Sequence, residues 1–314
     1  MIRSLLAAIC IAVLSAGWSD AADLPQLTAD EAGLDVEILS QVDGLVEKAI
    51  ADKRMPGCVI LIGKPEGIVW LKSYGDKRLE PKREAMTDDT VFDLASLTKP
   101  LATATSIMKL VEQGKLSVDD AAAKYLPEFG VEGKEEITIR DLLVHNSGLI
   151  PDNAIADYAD GPLKARDRLM ALKPVAPLRT KFMYSDVNFM VLGEVVARVS
   201  GKPLNEFARE NLFVPLRMSD TMYLPTDPLR RRAAPTENRN GEWIQGDVHD
   251  PRAHRLGGVA GHAGLFGTAT DLAKYATDAL AGLESDGSRI LKQATWRTMT
   301  TPQTIVGTDQ KGQR

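Results

Sequence analysis

The chain has 314 residues, of which 44% are hydrophobic and 26% charged. That composition belongs to a globular protein with a substantial core, not to a disordered chain. The formal net charge of -5 leaves no basic footprint, so nucleic acid is not an expected partner, and the run Leu229-Arg230-Arg231-Arg232 is expected to be a solvated loop face.

In chain order, a targeting segment comes first. Arg3 gives a positive start, residues 5–16 an apolar stretch too short to span a bilayer, and Ser19-Asp20-Ala21 the small residues of a signal-peptidase site. The expectation is a signal peptide at 1–21 and a secreted or periplasmic protein without a stable membrane anchor. Cleavage would remove Cys10 and leave Cys58 alone, so no intramolecular disulfide is expected. Apolar spacing at Ile38, Val42, Leu45, Val46 and Ile50 predicts a helix over 35–52, stopped by Met55-Pro56-Gly57. Two β-rich runs, 58–62 and 68–73, flank Lys64-Pro65-Glu66-Gly67 and predict a hairpin.

From about 97 to about 256 the pattern is mainly helical. Leu101, Ala104, Met108 and Val111 line one face of a helix that Gly114 closes. Further helices are expected at 139–144, at 188–199 before Gly201, and at 271–280 behind a capping-box-like Thr268. Glycines at 257, 258, 261, 264 and 267 argue against a sheet interior there. One hairpin is not a stable sheet, so strands are missing from the readable pattern.

The chemistry centres on FDLASLTKP, where Ser96 and Lys99 stand three apart as Thr90-Val91-Phe92 turns into a helix. Spacing alone leaves two readings open: a nucleophile with its base one turn away, or a serine that caps a helix. A helix N-terminus offers unpaired N–H groups and a positive dipole end to an oxyanion. A buried lysine amine can take a serine proton. Pro100 crowds the carbonyl four residues back, so the first turn is expected to be distorted or to start nearer Lys99. Ser106-Ile107-Met108-Lys109 repeats the spacing in mid-helix, where a serine hydroxyl folds back on the backbone, and is read as chance. His249, Asp250, His254 and His262 cluster in one segment, but no HExxH or paired CxxC accompanies them. They are read as a loop rimming the cleft. No metal or organic cofactor is expected. No GxSxG elbow is present either.

Several segments in order carry a resemblance. TVFDLASLTKPLATATSIMKLVEQGKLSVDD is followed by ITIRDLLVHNSGL, FMYSDVNFMVLGEVV and LNEFARENLFVPLRMSDTMY. This succession resembles the serine β-lactamase and penicillin-binding-protein superfamily, in the branch of class C β-lactamases, D-alanyl-D-alanine peptidases and β-lactamase-like esterases. The resemblance covers about residues 40–314. It implies a β-lactamase/transpeptidase-like fold of mixed α/β and all-α parts: an α/β part at about 36–86 and 265–314, and a helical part at about 87–264. It also implies Ser96 as nucleophile, Lys99 as its base, and Tyr184 as a proton-relaying phenol. The family's asparagine two residues after that tyrosine is Asp186 here, so Asp186 or Asn188 is expected to contact substrate. His145-Asn146-Ser147-Gly148 resembles a segment that shapes the helical part.

The family's third motif, Lys or His, then Ser or Thr, then Gly, has only His262-Ala263-Gly264 as a candidate, which makes His262 a possible substrate contact. In the family that motif follows a helix matching about 290–299, together with most of the sheet. The polar ending VGTDQKGQR closes no fold, so the C-terminal strands are expected to be missing. The implied reaction is acyl transfer from an amide, ester or β-lactam carbonyl of a small molecule or peptidoglycan peptide. The alternative is a catalytically impaired, penicillin-binding-like interaction protein, favoured by Asp186 and the missing motif.

Overall fold

The computed structural model describes residues 24–303; the expected signal segment and the polar ending lie outside the described residues. Helix α1 (Val36–Ala51) starts where the Asp35 carboxylate accepts the N–H groups of Glu37 and Ile38. Strands β1 (Gly57–Lys64) and β2 (Gly67–Arg78) form the expected hairpin, with Cys58 opposite Tyr74 and a bulge at Ile62/Gly63. A two-residue strand β3 (Glu84–Ala85) extends the sheet in the order β1-β2-β3.

The segment with Ser96 departs from a regular helix. Strand β4 (Phe92–Asp93) leads into one 3-10 turn at Ala95–Leu97, then a π-helical stretch at Lys99–Ala104, and only then α2 (Thr105–Glu112). Pro100 explains the change of pitch: it has no N–H to bond four residues back, and its ring crowds the carbonyl of that same residue. Gly114, at φ +67°, ends α2 as expected.

The helical part follows: α3 (Ile139–Leu143) with a Thr138–Asp141 capping box, α4 (Pro162–Met170), α5 (Asp186–Ser200) and α6 (Leu204–Ala208). Helix α5 is buried on nearly all sides, from Val187 through Val196, which makes it the centre of the core. It packs against α2, α3, α4 and α6. Next come β5 (Met222–Tyr223), α7 (Asp227–Arg232), a small hairpin of β6 (Asn238–Arg239) and β7 (Glu242–Trp243), and α8 (Pro251–Arg255). Strand β8 (Leu265–Gly267), α9 (Ala269–Glu284) and α10 (Gln293–Thr300) complete it. Helix α9 packs against β1 and α1 against β2, so residues from both ends of the described chain flank the hairpin. None of the described helices is long and apolar enough to cross a membrane.

Two sequence expectations are corrected. The arginine run is a short helix, not a loop, and Arg232 is tied to Asp220 at 2.6 Å and to Asp89 at 3.0 Å. The glycine-rich stretch does enter a sheet: β8 is the middle strand in the order β4-β8-β5. The site is tight, since a Cβ on Gly267 would lie 3.0 Å from Thr221 Oγ1 and 3.1 Å from Leu94 and would make those side chains give. Another glycine sets the depth of the preceding loop. A Cβ on Gly261 would sit 1.9 Å from the Phe189 carbonyl oxygen, so the loop can press on α5 only without a side chain.

Candidate active site

The loop before β8 runs along the Ser96 segment and fixes it from outside. Thr103 Oγ1 donates to the Gly261 carbonyl at 2.7 Å, and the Leu265 N–H donates to Thr98 Oγ1 at 3.1 Å. On the near side, Leu94 N–H reaches the Leu265 carbonyl at 2.8 Å. Asp93 adds a tie within the turn: its Oδ1 accepts the Ala95 N–H at 2.8 Å, and its Oδ2 accepts the His249 N–H at 2.8 Å. Ala95 has φ +44°, an unfavourable backbone for a residue with a Cβ, and it presents Ser96 at the surface of the turn.

Lys99 points inward and is 3% exposed. Its ammonium meets three oxygens: Ser96 Oγ at 3.0 Å, the His262 carbonyl at 3.1 Å and Asp186 Oδ1 at 2.6 Å. The Asp186 contact is an ion pair approached too obliquely to be an aligned hydrogen bond. Lys99 therefore donates to two oxygens, Ser96 Oγ and the His262 carbonyl, and is ion-paired with a third on Asp186. The Tyr184 ring lies over the ammonium, 5.0 Å from its centroid, with Phe189 behind at 5.9 Å. Asp186 is held at the first turn of α5. Its N–H donates to the Pro151 carbonyl at 2.8 Å, and Ser185 caps the helix while donating to the Ile150 carbonyl at 2.6 Å.

The structure therefore gathers Ser96, Lys99, Tyr184 and Asp186. It places the other two expected residues beneath the cleft. Asn188 is fully buried, its amide oxygen accepting from Ser147 at 2.6 Å, so it supports the wall and does not face substrate. The His262 ring is buried too, with Nε2 2.9 Å from Asp250 Oδ1, and it is the residue's carbonyl that reaches Lys99. Burial raises the Asp250 carboxyl, but the His262 contact and the Ala253 and Arg252 N–H groups outweigh it and hold it at about 2. Of the four clustered groups, His249 turns to Glu237 and His254 to Asp247. Ligand atoms of Asp186, Asp250 and His262 do lie within 4.8 Å of one another, with Lys99 paired to Asp186 and His262 Nε2 against Asp250. The second S-x-x-K comes apart: Ser106 Oγ is buried without the expected backbone bond, and Lys109 binds the Ile290 carbonyl at 2.6 Å.

A recess of about 350 Å³ opens beside Ser96 and Lys99, walled by Pro100, Met108, Leu143 and Phe189. Larger recesses of about 580 and 730 Å³ lie elsewhere and touch neither residue. His145 lines the same recess. Its pKa falls from 6.5 to about 4, first because burial penalises the charged ring, then because Lys99 repels it, with Asp186 only partly offsetting. The unfolded chain then takes up this proton before the folded one does. The contribution is full above pH 6.5 and disappears as pH falls from 6.5 to 4, by about 3 kcal/mol. Melting curves at pH 7.5, 5.5 and 4.5 should show this loss in the wild type and a smaller one in His145→Asn; parallel losses in both would remove His145 as the cause.

Sequence reasoning missed Asp93 and the carbonyl partners of Lys99. Asp93 left a signal, since an aspartate two residues before a turn commonly bonds its backbone. Backbone carbonyls leave none.

The family model described as Beta-lactamase matches residues 42–314. The chain is 33% identical over 282 residues to an N-acetylmuramyl-L-alanine amidase of Bacillus subtilis (strain 168), covering 79% of this chain and 64% of the relative. It is also 33% identical over 298 residues to a protein of Escherichia coli (strain K12) named "Putative D-alanyl-D-alanine carboxypeptidase", covering 81% and 67%. It thus spans about two thirds of these relatives' length. Among solved structures it resembles EstCE1, a hydrolase with promiscuous acyltransferase activity (TM-score 0.67, 26% identity, 83% and 76% covered). A class C beta-lactamase shares the fold (TM-score 0.69, 20% identity, 84% and 69% covered). With the family model matched over most of the chain and Ser96 and Lys99 in contact, the chain belongs to the beta-lactamase family, within the serine β-lactamase and penicillin-binding-protein superfamily of serine hydrolases.

Proposed function

We propose that this protein is a secreted hydrolase that forms an acyl-enzyme on Ser96 from an amide, ester or β-lactam carbonyl, with a peptidoglycan peptide as the natural substrate class. The observation that carries the reading is the contact of Ser96 Oγ with a buried Lys99 that is itself paired with Asp186. The names of the amidase and carboxypeptidase relatives support the substrate class.

Because Lys99 already donates to Ser96 Oγ and the His262 carbonyl and is ion-paired with Asp186, it accepts the serine proton only by releasing one of its own. Asp186, at 2.6 Å, is placed to receive it. As Ser96 Oγ bonds to the carbonyl carbon, its proton passes to Lys99 and a Lys99 proton passes to Asp186. The Tyr184 phenol gives its proton to the leaving nitrogen or oxygen as that bond breaks. The proton held on Asp186 then returns through Lys99 to the phenolate. Water attacks the ester, passes a proton through the same relay, and Ser96 regains its hydrogen.

The test is a substrate panel on the purified protein: a penicillin, a D-alanyl-D-alanine peptide, a muramyl-alanine amide and an aryl ester. Intact mass is read during turnover and products afterwards. The expected result is a transient acyl adduct and hydrolysis of at least one cell-wall amide. A folded protein that none of the four acylates or loses to hydrolysis would support the binding-only reading.

A further inference from the structure

Tyr184 is nearly half exposed, at 46%, although the reading above asks it to deliver a proton to one atom. A phenol that open needs something other than burial to hold it. The residue around it is His145, which bonds both peptide neighbours of Tyr184. The His145 carbonyl accepts the Met183 N–H at 2.9 Å, and its ring Nδ1 accepts the Ser185 N–H at 3.1 Å. Between these two anchors the imidazole lies against the Tyr184 ring, centroids 4.6 Å apart and planes tilted by 37°. The imidazole is fixed in turn by the ring of Phe189 at 5.2 Å, by Phe182 edge-on at 5.7 Å, and by Asn188 Nδ2 at 3.4 Å from Nδ1.

We propose that His145 is the positioning residue for Tyr184: a neutral imidazole that clamps residues 183 and 185 and stacks on the phenol between them, so that the phenol reaches the leaving group. This rests on the acyl-enzyme reading for its kinetic consequence, but the clamp is a structural claim of its own. The clamp requires Nδ1 to be an acceptor, so the ring hydrogen sits on Nε2. The charged groups that face the ring are Lys99 and Asp186, and the low proton affinity they and burial produce keeps the acceptor available at neutral pH. The backbone agrees. His145 has φ +59°, a left-handed conformation that turns its carbonyl and ring toward the same strand of chain, and that asparagine tolerates far better than phenylalanine does.

The experiment is a double-mutant cycle on acylation by a penicillin, with His145→Phe, His145→Asn, Tyr184→Phe and the double variant His145→Phe/Tyr184→Phe. His145→Phe keeps a ring and loses the acceptor, and is expected to slow acylation about 100-fold, in the rate constant and not in the binding of the penicillin. His145→Asn keeps an acceptor at the Nδ1 position and is expected to retain more than a tenth of the rate. In the Tyr184→Phe background, His145→Phe should cost less than about threefold, because there is no phenol left to position. Equal losses in both backgrounds, or wild-type rates in folded His145→Phe, would overturn the proposal. Amide exchange of Ser185 and the imidazole nitrogen shifts in the wild type complete the test without turnover. Slow Ser185 exchange with an unprotonated Nδ1 supports the clamp; fast exchange, or a hydrogen on Nδ1, overturns it. If the wild type is never acylated, it is the hydrolase reading that fails, and these last two readouts still decide the clamp.

Discussion

Ser96→Ala is expected to abolish the covalent adduct and to lower turnover by about 10⁴-fold or more, while leaving the fold intact. The two halves of that expectation have separate physical grounds. Ser96 is exposed on a turn whose shape is set by Asp93, Pro100 and the loop before β8, none of which needs the hydroxyl. The substitution removes one of three acceptors from Lys99, a stability cost of about 1 kcal/mol, because Asp186 and the His262 carbonyl remain. The chemistry has no such reserve. No other described hydroxyl is hydrogen-bonded to Lys99, and the competing pair is pulled apart, with Lys109 bound to a carbonyl beside α10. Intact mass after brief exposure to a penicillin, with circular dichroism alongside, reads both at once. An adduct that survives in a folded Ser96→Ala protein would move the nucleophile elsewhere.

What was legible in advance followed from local rules. Ser96 and Lys99 are close because three residues span about one turn in a 3-10, α or distorted helix alike, so the pair does not depend on the helix type. Pro100 announced the distortion, since its missing N–H acts within four residues. The hairpin and α5 were legible because two β-rich runs flank a Lys-Pro-Glu-Gly turn and a helical segment ends at Gly201. The failures are tertiary. The glycines of 257–267 weaken a strand by local rules, yet Gly267 ends the middle strand of a sheet, packed tightly against Thr221 and Leu94. Asn188 looked available to substrate until Ser147, more than forty positions earlier in sequence, claimed its amide oxygen. His145 looked structural and is so, but its two anchors fall on either side of the one exposed phenol in the site. No spacing rule connects residue 145 to residues 183 and 185.

Asp186 stands where the resemblance implies an asparagine, and Asp186→Asn should discriminate between two proton routes. If Tyr184 alone took the serine proton, restoring the family's asparagine would leave acylation close to wild type, and Tyr184→Phe would be the dead variant. The geometry favours the other route. Lys99 is buried among three oxygens, two hydrogen-bonded and the third the ion-paired Asp186, and it can become a base only if one partner accepts a proton. A carboxylate does that; an amide and a backbone carbonyl do not. Asp186→Asn is thus expected to slow acylation by about 10²- to 10⁴-fold, the usual contribution of a positioned acid or base. It also strips the counter-charge from a buried ammonium, at a cost of about 3 kcal/mol, so its melting temperature should fall. Loss of stability is not loss of chemistry, and Lys99→Met/Asp186→Asn separates them. Removing both charges should recover much of the melting temperature, because neither group is left uncompensated, and none of the acylation. Tyr184→Phe should instead keep an aryl ester as a substrate better than an amide, since an aryloxide leaves without a proton and an amine does not. An Asp186→Asn protein that acylates at the wild-type rate would assign the serine proton to Tyr184 and leave Asp186 as a counter-ion to Lys99.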